Sequence, residues 1–323
     1  MARRRRRDVI DESVVGAYHV CSRTVRRAFL TGFDRQTGID YSHRKVLLER
    51  RLEALVSVFG IECLDHTVLD NHFHAILRNR PDLVAGWSDE EVARRWLRLQ
   101  RSELELNDEP TPEQIAQFLL DPANVAQARK RLSSISEFMG HLKEPLARAA
   151  NREDGVSGFF WQGRFSASRL GNDAALLVCS LYVNMNPIRA GLAKTPEEAE
   201  HTSTYARLLD RQSNDAERTR SGWLAPVHVD GDGYDGVSAQ RRPSNKGYLG
   251  ISFVEYLELL DALIRREQIE KSGGTSNDYP PVLERLGVTA AQWEQTVRAT
   301  SRRFARELDI MVLMFAEARR RSS

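Results

Sequence analysis

Cysteine is scarce in this chain: Cys21, Cys63 and Cys179 are the only three in 323 residues, and no two have CxxC spacing. That excludes a disulfide-stapled scaffold and a zinc ribbon, and it fits a reducing compartment such as the cytoplasm. Long apolar runs are also missing. None approaches the roughly 20 residues needed to span a bilayer. The basic run Arg3–Arg7 has no apolar stretch behind it, so no signal peptide is expected. The sequence has neither a GxxxxGK[ST] loop nor a GxGxxG turn, which leaves nucleotide hydrolysis and dinucleotide binding without support. Apolar residues themselves are plentiful at 41%, against 28% charged, and that balance excludes a disordered chain. The length suffices for one large or two smaller domains with a sizeable core.

Net charge is only +2, so the whole molecule is no polycation. The basic residues are nevertheless clustered: Arg3–Arg7, Arg23/Arg26/Arg27, Arg94/Arg95/Arg98, Arg129/Lys130/Arg131, Arg241/Arg242, Arg302/Arg303 and Arg319–Arg321. Arginine dominates over lysine, as phosphate recognition favours. Such clusters commonly mark solvated helix faces, and a groove is needed before they argue for nucleic acid.

Taken in order, residues 1–12 read as a flexible basic arm. Val14 to Ser22 has the alternation and β-branching of a strand. Between His43 and Phe59, Val46, Leu47, Leu52, Leu55, Val56 and Phe59 recur at helical spacing. Ile61–Val68 and Leu69–Leu77 then read as two strands joined by a tight turn at Asp70-Asn71. Strand, helix, strand, strand is the opening of a split βαβ unit. The predicted fold is therefore α+β, a ferredoxin-like antiparallel sheet with helices on one face. Residues 82–131 read as an inserted helical layer, with N-terminal signals at Ser88 and Thr111. A helix from Ser134 to Ala150, bent or interrupted at Pro145, follows. The aromatic run Phe159–Phe165 leads into a short strand through Leu170. Asn172-Asp173 caps a helix expected to end near Asn186, ahead of Pro187. Residues 13–210 form the main domain by this reading, 211–248 a linker rich in Gly, Asp, Ser and Arg, and 249–323 a C-terminal helical module built on Phe253–Arg266 and Ala290–Arg320.

The richest stretch is Asn71-His72-Phe73-His74. On a strand, side chains repeat every two residues, so His72 and His74 share a face, roughly 7 Å apart at the backbone. Two neutral imidazoles at that spacing can grip one divalent ion, although a half-buried strand that happens to carry two histidines would look the same. Other constellations are weaker. His201-Thr202-Ser203 is half of the paired motif of two-histidine phosphoesterases, with no second copy on a plausible strand. Trp161 and Phe165 can stack on bases, though core packing is the commoner fate of either alone.

Four pieces in order carry a family resemblance: Tyr18-His19-Val20-Cys21-Ser22-Arg23, then Asn71-His72-Phe73-His74, then Trp161-Gln162-Gly163-Arg164-Phe165, then Tyr182-Val183-Asn184-Met185-Asn186-Pro187-Ile188-Arg189-Ala190-Gly191. Together they resemble the single-tyrosine HUH transposases of the insertion-sequence type, and most closely the REP-associated tyrosine transposases. The resemblance runs from about Tyr18 to Tyr205 and leaves out the helical insert and the tail. It implies that His72, His74 and Asn186 bind a divalent metal, Mg²⁺ or Mn²⁺, and that Tyr182 attacks DNA. Asp70 stands where the family usually has a proline. The arginine clusters offer Arg23, Arg26, Arg27 and Arg164, together with Arg189, as candidate DNA contacts; the resemblance implies single-stranded or hairpin DNA as the partner, and a homodimer is a candidate assembly. A transposase acting in DNA transposition and recombination would work in the cytoplasm, at the nucleoid.

The chemistry implied suits the residue types. Two imidazole nitrogens and an amide oxygen leave metal positions open for phosphate oxygens. Attack by Tyr182 would give a 5′-phosphotyrosine link and a free 3′-hydroxyl, and the covalent link conserves the bond energy for rejoining. An ordinary tyrosine titrates near pH 10, and the sequence names no base to activate it. The competing expectation is a domesticated, non-catalytic protein that binds hairpin DNA.

Overall fold

The computed structural model describes residues 8–212, 220–228 and 241–271, with Thr289 and Ala291 as isolated positions. The arm Arg3–Arg7 and the helix expected over Ala290–Arg320 fall outside these residues, Ala291 aside. A four-stranded antiparallel sheet lies at the centre, built from β1 (Gly16–Arg23), β4 (Ile61–Val68), β5 (His72–Asn79) and β6 (Ser166–Leu170) in the order β4-β5-β1-β6. A small ribbon of β2 (Phe33–Asp34) and β3 (Ile39–Asp40) stands apart. Helix α1 (His43–Val58) links β1 to β4, and α6 (Ile135–Glu153) precedes β6. This is the split βαβ order, and the fold is α+β as the sequence predicts.

Alternation along the strands separates two cores. Tyr18, Val20, Phe73, Ala75 and Leu77 point toward α1 and α6, where Leu48, Leu52, Leu55, Phe59, Phe138 and Leu142 are buried with them. Each such aliphatic or aromatic side chain contributes about 1.5–3 kcal/mol on leaving water. Ile76 and Leu64 point to the opposite face, onto α7 (Asp173–Arg189) and α9 (Phe253–Lys271). The expectation of helices on one face thus holds for the two crossover helices, while α7 and α9 add a second layer. The insert forms α2 (Pro81–Ala85), α3 (Asp89–Leu97), α4 (Pro112–Leu119) and α5 (Pro122–Leu132), and its Val84, Val92, Val125 and Leu132 join the first core. Ser88 and Thr111 cap α3 and α4, Thr111 in a full capping box.

Neither Pro145 nor Pro187 interrupts its helix. Helix α6 runs unbroken through Pro145. A proline ring leaves the carbonyl four residues back without its N–H partner; here that carbonyl is His141, and it accepts from the buried Arg51 Nε at 3.1 Å. Helix α7 continues past Pro187 to Arg189. Its stop is Gly191 at φ 72°, whose left-handed backbone lets Ala190, Gly191 and Leu192 cap the last carbonyls.

The stretch expected to be a linker is, where described, part of the body. Trp223, Leu224, Ala225 and Val227 are buried, and Leu224 bridges Cys63 of β4. Arg78 of β5 reaches the carbonyls of Lys246 and Gly247. Apolar residues scattered among polar ones, with no period, gave no sign of this docking.

Candidate active site

The β4–β5 turn is tied at several points. Leu69 N–H donates to His72 O at 2.9 Å, and Asp70 accepts an ion pair from Lys45 at 2.6 Å. Thr31 donates through its N–H to Asp70 O and through its hydroxyl to Leu69 O. Gly32 completes the contact: a Cβ there would lie 2.2 Å from the Asp70 side chain. Asp70 is therefore an anchored turn residue.

His72 and His74 leave β5 on the α7 side, with ring centroids 5.0 Å apart. His72 Nδ1 lies 2.6 Å from Asn71 Oδ1. With the amide oxygen accepting, Nδ1 carries the proton and Nε2 keeps its lone pair. His74 is only 3% exposed, and its Nε2 is buried with no hydrogen-bond partner among the described residues. Orphaned buried nitrogens are uncommon, and a metal ligand is one explanation for them. Burial pushes His72 down to about 4, with the Arg23 cation adding to it. His74 is also held well below the ordinary value by burial, reinforced by His19, His72 and Arg23. Both imidazoles are thus neutral at pH 7, the form that coordinates.

Tyr182 is carried over this face by α7. Asn172 caps the helix, its Oδ1 accepting from Ala175 N–H at 2.8 Å. One side of α7 is clamped by Asp65: the carboxylate accepts from the Ser180 hydroxyl, from Asn184 Nδ2 at 3.2 Å, from Arg207 Nη1 at 2.8 Å and from the Tyr248 hydroxyl at 2.7 Å. A bulge between Cys63 and Asp65 makes this clamp available, because it turns Leu64 and Asp65 both toward α7. With that side fixed, Tyr182 meets His74 edge-on at 5.6 Å between centroids. Burial raises its phenol above the ordinary value, as do Cys21 and Cys179, while Arg189 and an Asn186 hydrogen bond oppose the rise. The phenol is therefore protonated at neutral pH in the free protein.

Asn186, one turn further, donates Nδ2–H to Tyr182 O at 2.9 Å and keeps its amide oxygen as an acceptor. It makes no hydrogen bond to either histidine. Among the described residues no three His, Cys, Asp or Glu side chains form a ready metal cluster. Two imidazole Nε2 atoms and an amide oxygen are donor types that suit a cation completing its shell with solvent or phosphate oxygens.

The sequence reading missed His19. It lies on β1, where Cys21 pairs with His74 across the ladder and His19 sits on the diagonal. Its Nε2 is 2.9 Å from His74 Nδ1, and its ring meets Tyr182 edge-on at 6.1 Å. Tyr18-His19 belongs to the quoted motif, yet only the strand register brings His19 to the site.

The arginines divide. Arg23 pairs with His72 in the ladder and is exposed, as are Arg26 and Arg164. The side chain of Arg27 is outside the described part. Arg189 pairs with Glu267 of α9 at 2.7 Å, its guanidinium 5.9 Å from the Tyr182 ring centroid. The aromatic loop is stitched to the end of β1 by Val25 N–H to Phe160 O and Gln162 N–H to Arg23 O, both 2.8 Å. Trp161 and Phe165 are buried, Trp161 donating Nε1–H to Lys143 O at 2.9 Å, whereas Phe159 is 87% exposed.

A second constellation has the bonding order of a nucleophile relay. Ser203 Oγ lies 2.9 Å from His66 Nδ1, and His66 Nε2 lies 3.0 Å from Glu49. Ser203 and His66 are fully buried, beyond reach of a substrate, so the relay is structural. The phosphoesterase-like His201-Thr202-Ser203 segment is absorbed by it, His201 bonding the other Glu49 oxygen at 2.7 Å.

No protein-family model matches the chain, and no curated protein matches it by sequence. Among solved structures the chain is similar to a REP-associated tyrosine transposase bound to a REP hairpin. The two share 14% identity and a TM-score of 0.37, over 73% of this chain and 94% of that one.

Proposed function

We propose that this chain is a metal-dependent tyrosine transposase that cleaves and rejoins single-stranded or hairpin DNA through a phosphotyrosine link at Tyr182. The observation that carries the reading is the meeting of two separate motifs: the Tyr182 ring from α7 rests 5.6 Å from His74, whose Nε2 is buried without a partner among the described residues. The sequence separates these residues by a hundred positions, and a merely structural tyrosine has no need of an orphaned imidazole beside it.

His72 and His74, with the Asn186 amide oxygen, would hold Mg²⁺ or Mn²⁺, which when bound polarises the scissile phosphate and stabilises charge on it. Exposed Arg23, Arg26 and Arg164 would guide the phosphate backbone toward His72. Tyr182 Oη would attack phosphorus, forming the O–P bond as the P–O3′ bond breaks. The phenol proton leaves, and the departing 3′ oxygen ends as a hydroxyl. Attack by a new 3′-hydroxyl on the phosphotyrosine reverses the step. Arg189, above the ring, favours the anionic phenolate as it develops.

The test is incubation of the chain with a labelled single-stranded hairpin oligonucleotide and Mn²⁺, followed by denaturing electrophoresis. A covalent protein–DNA adduct is expected. Tyr182→Phe removes one oxygen and keeps the ring, so adduct and cleavage should vanish while hairpin binding persists. An adduct formed equally by Tyr182→Phe would move the nucleophile elsewhere. Hairpin binding with no adduct from the parent chain would instead identify the non-catalytic hairpin-binding protein.

A further inference from the structure

The pair His19–His74 bears on which nitrogen of His74 faces the site. The two ring planes lie within 8° of one another, with centroids 5.0 Å apart and the facing nitrogens only 2.9 Å apart. The nitrogens are closer than the centroids by about two ring radii. The rings therefore lie edge to edge, with an in-plane hydrogen bond rather than a face-to-face stack. A single proton occupies that bond when both rings are neutral. If His19 Nε2–H donated it, His74 would carry its other proton on Nε2, leaving a buried N–H with nothing to bond. If His74 Nδ1–H donates it, Nε2 presents a lone pair. Asn71 imposes the same arrangement on His72, whose Nδ1 it holds at 2.6 Å. Two different side chains, from the turn and from the next strand, thus set two imidazoles to present Nε2.

We propose that His19 is a positioning residue for the metal site: it accepts the Nδ1–H of His74 and so fixes the ring and tautomer in which His74 Nε2 takes a divalent cation. The proposal rests on the metal-site reading above. Partners of this kind, which hold a ligand's far nitrogen, typically alter metal affinity by roughly 10–100-fold when removed.

The test compares His19→Gln with His19→Phe in the full chain. Glutamine places its amide oxygen near the position of Nε2 and still accepts; phenylalanine fills the space and cannot. Mn²⁺ affinity, measured by calorimetry without DNA, should weaken roughly 10–100-fold in His19→Phe and stay within a few-fold of the parent in His19→Gln. In metal-free protein with ¹⁵N-labelled histidine, His74 should be protonated at Nδ1 in the parent and in His19→Gln, and lose that preference in His19→Phe. A purely structural role would move neither readout in step with the acceptor. Should His19→Phe fail to fold, His19→Leu makes the same comparison. Parent-like affinity in the non-accepting variant overturns the proposal, and so does an equal loss in His19→Gln. A parent chain that binds no Mn²⁺, or binds it as well after His74→Ala, overturns the metal site itself.

Discussion

Glu49 sits between His66 and His201, one carboxylate oxygen to each, at 3.0 and 2.7 Å. Burial alone would raise its pKa, but the hydrogen bonds from His201 and His66 outweigh burial and hold it at about 2. A depressed carboxylate contributes stability that is complete above its unfolded value of 4.5 and is lost as pH falls through the folded value. The difference corresponds to up to about 3 kcal/mol, with more than half gone by pH 3. Glu49→Gln should therefore be markedly less stable than the parent at pH 7, and the gap should narrow at pH 3. Urea unfolding at the two pH values measures it, and a gap that does not narrow refutes the linkage. Single residues of this kind show where the sequence was legible. His72 and His74 share a strand, and a period of two is enough to pair them. Glu49, His66, Ser203 and His19 lie on different elements, and only tertiary packing and strand register bring their partners to them.

At the scale of elements, the loop from Phe159 to Arg164 has an inward and an outward side. Trp161 packs edge-on against Phe73 and Phe160, and Lys143 donates to Gly163 O at 2.9 Å. Those contacts hold the loop beside β1 and leave Phe159 outside, next to the segment of Arg23 and Arg26. Arg26 adopts φ 54°, a backbone conformation uncommon outside glycine. If single-stranded DNA follows this rim, Arg23→Ala and Arg26→Ala should each reduce the log–log salt slope of binding by about 0.7. Phe159→Ala should leave the slope alone and weaken binding by roughly 1–3 kcal/mol, the effect of one lost base stack. Binding titrations at several salt concentrations decide it, and slopes identical to the parent's would take the strand elsewhere. From sequence, the aromatic run was recognisable, but which ring faces solvent was not. Helix starts were better marked, because Ser88, Thr111 and Asn172 act through local hydrogen bonds. Pro145 and Pro187 were misleading for the opposite reason: Arg51, distant in sequence, satisfies the carbonyl that Pro145 leaves free, and α7 is held by packing through Pro187 to the stop at Gly191.

At the scale of the whole molecule, α7 is held from both ends of the chain. Asp65 of β4 and Tyr256 of α9 bond Ser180 and Asn184, the α7 residues two positions before Tyr182 and Asn186, while Arg207 of α8 (Ser203–Gln212) and Tyr248, just before α9, hold Asp65 in place. Tyr256, Leu259, Leu260 and Leu263 of α9 are buried in the same core as Leu181 and Met185. A C-terminal module joined by a free linker would unfold by itself and leave the sheet intact. The buried network argues for one cooperative unit instead. Leu260→Ala should lower the stability of the entire chain by about 2–5 kcal/mol, the usual cost of a cavity at such a position. Tyr256→Phe deletes only the hydroxyl that Asn184 Nδ2 approaches at 2.9 Å and Ser180 Oγ at 3.1 Å, and should cost about 1–3 kcal/mol. Unfolding followed by the assigned ¹⁹F resonance of fluorotryptophan at Trp161 separates the two pictures, because Trp161 lies beside the sheet in the opposite core from α9. A single transition that shifts with Leu260→Ala places α9 within the unit that carries Tyr182. A Trp161 signal that ignores the substitution would make the C-terminal helix a separate module after all.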